Sequence, residues 1–216
     1  MIERLDDIHR WIRAQPLLYR FTLGTRLLLA CGFLPTGLLK VLGRRFTIMP
    51  VETPPGFLFE ALYQGGGLYW RFIGLSQVIA SILLLIPRTS AIGAIIFLPI
   101  IANIFVITVS YGFVGTPFIT GPMLLAALWL VAWEWHRLRP LVVPGTTALA
   151  AMPQQRLDAA ECIVYTAGAL AGFYFFFVVR SLVPKYHPMA LLGFAALCLF
   201  AAAALGIRRQ FAPRPA

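Results

Sequence analysis

Six long apolar segments constrain the fold of this 216-residue chain more than any other feature. They lie at about 17–42, 68–86, 91–113, 118–135, 162–183 and 187–207. Each is close to or above the roughly 20 residues that a helix needs to cross a hydrocarbon core about 30 Å thick. Backbone polar groups inside lipid must be paired within the segment, which favours helices. The sequence therefore predicts an all-α, polytopic membrane helix bundle with a four-helix core and two additional C-terminal transmembrane helices.

Composition supports a membrane environment and argues against nucleic acid as a partner. Hydrophobic residues make up 60% of the chain and charged residues 12%, whereas soluble domains contain about half and about a quarter. The formal net charge of +10 would suggest nucleic-acid binding in a soluble protein. Here the basic residues flank apolar segments, so they are more simply explained by membrane orientation. The lipid bilayer is the predicted partner.

Cysteine and histidine spacing offers no support for metal or thiol chemistry. The three cysteines are isolated, without a CxxC pair, and the three histidines fall at or outside the ends of the apolar segments. A metal site needs several donors that converge on one point. We therefore predict no metal site and no intrinsic cofactor.

The segments outside the spans divide the chain further. Residues 1–16 place Ile2, Leu5, Ile8 and Ile12 on one helical stripe, which predicts an interfacial amphipathic helix. The predicted divisions are an interfacial helix at 1–16, a four-span bundle at 17–139 with an outer loop at 43–67, a linker at 140–159, two helices at 160–208 and a basic tail at 209–216.

Basic residues also predict the orientation of the chain. With six spans, eleven of the 18 Lys and Arg residues fall on the side of the two termini and six on the other, while Arg26 lies within a span. The positive-inside rule then predicts that both termini are cytoplasmic.

A polar stretch from Phe57 to Gln77 leads into the second span and is the predicted site. The candidate ligand-binding residues are Lys40, Glu60, Tyr63, Gln64, Tyr69, Trp70, Arg71, Gln77 and Asn103. Glu60 and Arg71 are expected to form an ion pair that holds the loop over the bundle. Amide and ammonium donors beside aromatic rings would suit a quinone-like or lipid ligand. No catalytic residue is identified, and whether the protein is an enzyme stays open.

Several polar residues in the spans have two possible roles. Lys40 can snorkel toward the head groups or donate to a ligand, and Arg26 can form a structural ion pair or act in function. Gln77 and Asn103 can equally join helices or bind a ligand. Glu134 is expected to pair with Arg137 three residues later.

The first four spans resemble the DoxX-like family of small bacterial membrane proteins over about residues 17–139. The likeness rests on RLLLACGFLPTGLLKVLG, on LYQGGGLYWRFIGLSQVIASILLLIPRTS and on FLPIIANIFVITVSYGFVGTP. It implies a four-helix membrane bundle, associated in some members with quinone-linked sulfur oxidation or redox partner complexes. The last two spans extend beyond the usual four-span unit.

Together these features predict an integral membrane subunit associated with a redox, quinone-linked system, with a quinone-like or lipid ligand in the outer half of the bundle. A redox partner or a second copy would dock on the last two helices. The alternatives are a non-catalytic membrane scaffold module and a small-solute transporter, the latter disfavoured because no inverted repeat is evident.

Overall fold

The computed structural model describes residues 2–47, 49–144, 156–180 and 188–211. This part of the chain forms nine α-helices and no strand. They are α1 (Ile2–Ala14), α2 (Pro16–Val41), α3 (Pro54–Gln64), α4 (Gly67–Leu85), α5 (Ser90–Ser110), α6 (Pro117–Trp133), α7 (Trp135–Val142), α8 (Ala159–Val179) and α9 (Pro188–Phe211). The predicted all-α, polytopic membrane helix bundle is confirmed.

Five of these helices, α2, α4, α5, α8 and α9, are long and apolar enough to cross a membrane. Helix α6 has 17 residues and is followed by α7 after a bend of 78°. Counted as one span, this bent pair brings the total to six.

The core of the bundle is apolar and lies between α2, α4, α5 and α6. Leu29, Leu84, Phe97 and Leu130 are buried there, and the rings of Phe33 and Phe97 lie 4.4 Å apart. Because α2 and α4 approach closely, a Cβ added at Gly74 would lie 2.6 Å from the Gly37 carbonyl oxygen. Glycine at this position therefore sets the spacing between the two helices.

Helix α1 places its apolar stripe outward and part of its polar face against the protein. Leu5, Ile8 and Trp11 are exposed, whereas Asp6 and His9 are buried. Asp6 accepts a hydrogen bond from Trp135 Nε1 at 3.0 Å, which joins α1 to α7. An outward apolar stripe is the arrangement that an interfacial helix needs.

Helices α8 and α9 form a pair that packs against α2. The Tyr165 hydroxyl donates to the Arg20 carbonyl oxygen at 3.0 Å, so the contact includes polar groups as well as apolar ones. The element bounds differ slightly from the predicted divisions: α7 extends into the linker, and α9 continues to Phe211, within the predicted basic tail. Residues 145–155 and 212–216 lie outside the described residues.

Candidate ligand-binding cavity

Lys40 and Gln77 form the polar centre of the site. Lys40 Nζ donates to Gln77 Oε1 at 2.9 Å, and the two residues are 5% and 3% exposed. The contact follows from the close approach of α2 and α4 at Gly37 and Gly74. Trp70, Gly74, Gln77 and Ser81 are all buried on one face of α4, as their spacing predicts.

Aromatic rings surround the Lys40 ammonium group. Lys40 Nζ lies 4.2 Å from the centre of the Phe46 ring and 5.5 Å from that of Trp70. Phe59 of α3 packs edge-on against Phe46 at 4.7 Å. Trp70 Nε1 donates to the Arg44 carbonyl oxygen at 3.2 Å, which ties the segment after α2 to α4. Lys40 thus turns into the protein and interacts with ring faces instead of snorkelling outward.

A cavity of about 650 Å³ begins at this polar centre. Its wall includes residues of α2, α4, α5, α6 and α8, and most of these are apolar, such as Phe33, Ile104 and Met123. Between Leu28 and Lys40 it follows α2 for twelve residues, or about 18 Å at the helical rise. Leu28, Phe72 and Ile119 in its wall are each more than half exposed, so the cavity opens at the side of the bundle.

Five of the nine predicted site residues lie in the wall of this cavity: Lys40, Tyr69, Trp70, Gln77 and Asn103. Asn103 is exposed on α5. Tyr69 is half exposed at the beginning of α4 and stacks with Phe72 at 6.5 Å. The structure therefore brings residues of three separate spans to one cavity.

The other four predicted site residues do not line the cavity. Glu60 and Gln64 bond to each other on α3, and Tyr63 packs edge-on against Trp70 at 6.0 Å. The predicted ion pair between Glu60 and Arg71 is wrong. Glu60 Oε2 pairs with Arg45 Nε at 3.0 Å instead.

Arg71 lies elsewhere because consecutive residues on a helix point about 100° apart. Trp70 turns into the bundle, and the exposed Arg71 lies beside Gly43. Among the described residues, Arg71 forms no ion pair. The loop at 43–67 is held over the bundle by the ion pair between Arg45 and Glu60, which both belong to this loop.

Arg180 and Phe46 belong to the cavity, and neither was among the predicted site residues. Arg180 Nη1 donates to the Phe46 carbonyl oxygen at 3.1 Å, and its Cζ lies 5.8 Å from the centre of the Phe46 ring. Burial lowers the pKa of Arg180, which follows the end of α8. One signal was available in the sequence, since Arg180 is a cation at the same membrane side as Lys40.

Comparison with known proteins relates this chain to a bacterial protein of similar sequence. No family model matches it, and no solved structure matches it. The uncharacterized protein YwoB of Bacillus subtilis (strain 168) is 39% identical over 112 residues, which cover 49% of this chain and 73% of YwoB.

The chain belongs to the YwoB family. YwoB is described as uncharacterized, so membership supplies no activity to transfer. The cavity is therefore the feature of this YwoB family member that bears on its function.

A second polar cluster in this YwoB family member lies at the opposite end of the bundle. Arg26 pairs with Glu134, which also accepts from Ser90 Oγ at 2.8 Å and pairs with Arg137 at 3.4 Å. The predicted contact between Glu134 and Arg137 is confirmed, and Arg26 takes the structural alternative, an ion pair. Within the described residues, no group of three or more His, Cys, Asp or Glu side chains could hold a metal ion.

Proposed function

We propose that this integral membrane protein binds a lipophilic ligand, quinone-like or lipid, in the cavity beside Lys40 and Gln77. One observation carries the proposal: a buried, hydrogen-bonded polar pair stands at the end of a cavity of about 650 Å³ with largely apolar walls. Binding pockets for small molecules typically have volumes of about 300–1,000 Å³, apolar walls and a few polar groups that orient the ligand. The polar part of the ligand would lie against Lys40 and Gln77, and its apolar part along α2.

The side opening supports a ligand that comes from the bilayer. Leu28, Phe72 and Ile119 expose apolar surface at the rim, and none of them carries a polar group that would bind a hydrated solute. A lipid chain or an isoprenoid chain can enter along such a rim without leaving the hydrocarbon region. A small polar solute would have to cross the hydrocarbon region to enter by the same opening.

A redox role is the second part of the proposed function, and it rests on the resemblance to DoxX-like proteins. We propose that the ligand links this protein to a redox partner in a bacterial inner membrane, with both termini in the cytoplasm. The basic residues on the side of the termini support this orientation. Reporter fusions at each end test it, and an externally accessible terminus would overturn it.

A cavity-filling variant tests ligand binding most directly. A Cβ added at Gly32 would meet only Met123 Cε, at 4.0 Å, so Gly32→Phe fills the cavity with little backbone strain. Gly193 lies exposed on α9 with nothing within 4 Å of an added Cβ, so Gly193→Phe is the matched control.

The measurement is mass spectrometry of molecules extracted from protein that was purified in a mild detergent. We expect wild type and Gly193→Phe to retain the same lipophilic molecule and Gly32→Phe to lose it. A quinone found in this extract would identify the quinone-like alternative. Equal retention by Gly32→Phe and Gly193→Phe would show that the ligand binds elsewhere or not at all.

A further inference from the structure

The acidic residues of the chain are distributed unevenly between the two ends of the bundle. All eight lie within the described residues. Six of them are at the end where α2 begins: Glu3, Asp6, Asp7, Glu134, Asp158 and Glu161. The remaining two, Glu52 and Glu60, belong to the segment that follows α2. The cavity's polar end is therefore poor in negative charge.

Lys40 and Arg180 are the two cations in the wall of the cavity. Neither forms an ion pair with any of the eight carboxylates, all of which the structure describes. Lys40 bonds to a neutral amide and Arg180 to a backbone carbonyl. Glu60 is occupied by Arg45, and Glu52 is exposed.

Two cations share one ring at this end of the cavity. Lys40 Nζ and Arg180 Cζ both lie within 6 Å of the Phe46 ring centre. Bringing like charges together in a partly dehydrated site is costly unless an opposite charge is present. The Nε of Arg180 is also buried without a hydrogen-bond partner among the described residues. An anion at this position would offset the repulsion and accept the remaining donors.

We propose that the ligand carries an anionic head group of the phosphate class on a long apolar chain. This inference rests on the proposed function and specifies the ligand of the same cavity. A phosphate group presents several oxygen atoms, so it can accept from Lys40 and Arg180 at once. Gln77 offers an amide nitrogen as a further donor. The chain would lie along Phe33, Ile104 and Met123, where the wall is apolar.

A neutral quinone fits the apolar part of the cavity equally well but leaves the two charges uncompensated. Its carbonyl oxygen can accept from Lys40, yet it brings no negative charge to Arg180. The charge of the head group is therefore the property that separates the two ligand classes.

The test compares lipids that differ only in the head group. Purified protein in nanodiscs is exchanged with dioleoyl phosphatidic acid or with dioleoylglycerol, which has the same chains and no phosphate, and retained lipid is counted by native mass spectrometry. Undecaprenyl phosphate and undecaprenol form a second pair, which distinguishes a polyprenyl phosphate from a glycerophospholipid. We expect at least about tenfold preference for the anionic member of a pair, since only that member can accept charge-assisted hydrogen bonds from Lys40 and Arg180.

Variants assign the preference to the two cations. Arg180→Gln and Lys40→Met are expected to reduce retention of the anionic lipid severalfold more than retention of the neutral lipid. Arg71→Gln removes an exposed arginine that does not line the cavity, so it is the matched control and should keep the wild-type preference. Gly32→Phe should lose both lipid classes. Thermal melting of each variant verifies folding, and Arg180→Gln alone suffices for the test if Lys40→Met does not fold.

The outcomes separate this inference from the proposed function. Equal retention of anionic and neutral lipids, or a neutral quinone as the retained molecule, overturns the anionic head group and leaves lipophilic binding intact. A preference that survives Arg180→Gln and Lys40→Met also overturns it. Retention that Gly32→Phe does not change removes the proposed function itself.

Discussion

Arg20 and Glu161 form a two-point ion pair that joins α2 to α8. Arg20 Nε lies 2.5 Å from Glu161 Oε1, and Arg20 Nη2 lies 2.9 Å from Glu161 Oε2. The side chains are 4% and 1% exposed. Glu161 also accepts from the Asp158 backbone nitrogen at 3.0 Å, as part of a capping box that begins α8. The Glu161 carboxylate therefore completes the cap of α8 and also fastens this helix to the first span.

Loss of this carboxylate should destabilise the bundle strongly. Glu161→Gln removes the negative charge from this buried pair, and breaking a buried pair by removing one charge costs about 3–5 kcal/mol. We expect a clear fall in the thermal unfolding midpoint of the detergent-solubilised protein. Asp7→Asn is the control, because Asp7 and Arg10 form an exposed pair with 75% and 57% exposed side chains. Equal midpoints for the two variants would contradict a stabilising role for the buried pair.

The close contact of α2 and α4 makes Gly74 sensitive to substitution. In Gly74→Ala the new Cβ would lie 2.6 Å from both the Gly37 oxygen and Lys40 Cβ, so the helices must separate. Overpacking of this kind costs about 1–3 kcal/mol, and it should also weaken ligand retention by displacing Lys40 from Gln77. The unfolding midpoint and the extracted ligand are measured together. Gly193→Ala, in open space on α9, should change neither quantity.

The pairing of Glu60 gives a test of what holds α3. We expect Arg45→Gln to speed proteolytic cleavage around α3 roughly two- to fivefold, because a partly exposed ion pair contributes about 0.2–1 kcal/mol. Arg71 forms no ion pair within the part of the chain that the structure describes, so Arg71→Gln removes the same charge without breaking one there. If Arg71→Gln accelerates cleavage as much as Arg45→Gln, net charge and not the pair with Glu60 controls α3.

The contact between α1 and α7 should weaken in acid. The rings of His9 and His136 stack at 5.7 Å, and both residues are buried. Burial, with the charges of Arg13 and His136, lowers the pKa of His9 from 6.5 to about 4, against the opposing effect of Asp6 and Glu134. Since the folded protein binds this proton less readily than the unfolded chain, stability falls as the pH drops below about 6.5 toward 4.

Comparison of wild type with His9→Phe measures this effect. We expect the unfolding midpoint of wild type to fall more between pH 7.5 and pH 4.5 than that of His9→Phe, which keeps a ring against His136 without a titrating group. All other titratable groups, including His136, are present in both proteins, so the difference between the two pH profiles isolates His9. Parallel pH profiles would show that His9 does not set the acid stability of this contact.

Helical spacing was sufficient to predict the buried face of α4, which includes the cavity residues Trp70 and Gln77. Residues Trp70, Gly74, Gln77 and Ser81 follow intervals of three and four along one helix, and a single face of α4 buries them all. The spans themselves were equally predictable from the sequence, because about 20 apolar residues in a row can adopt few folds in lipid. Local periodicity thus determines which residues of one helix face the interior.

Contacts between elements distant in sequence could not be predicted in this way. Arg180 reaches the cavity because α8 packs on α2. No sequence pattern within α8 indicates that α8 packs there. The choice of Arg45 over Arg71 as the partner of Glu60 depends on the direction in which α3 crosses the loop. Two arginines with similar sequence separation from one carboxylate are indistinguishable until the backbone path between them is known.

The side opening of the cavity determines how its affinity has to be expressed. Because Leu28, Phe72 and Ile119 are exposed at the rim on the side of the bundle, the proposed ligand would reach the site by two-dimensional diffusion. Its mole fraction in the membrane would then replace its bulk concentration. Diluting vesicles with buffer should then leave occupancy unchanged. Adding lipid at constant protein and ligand should lower it.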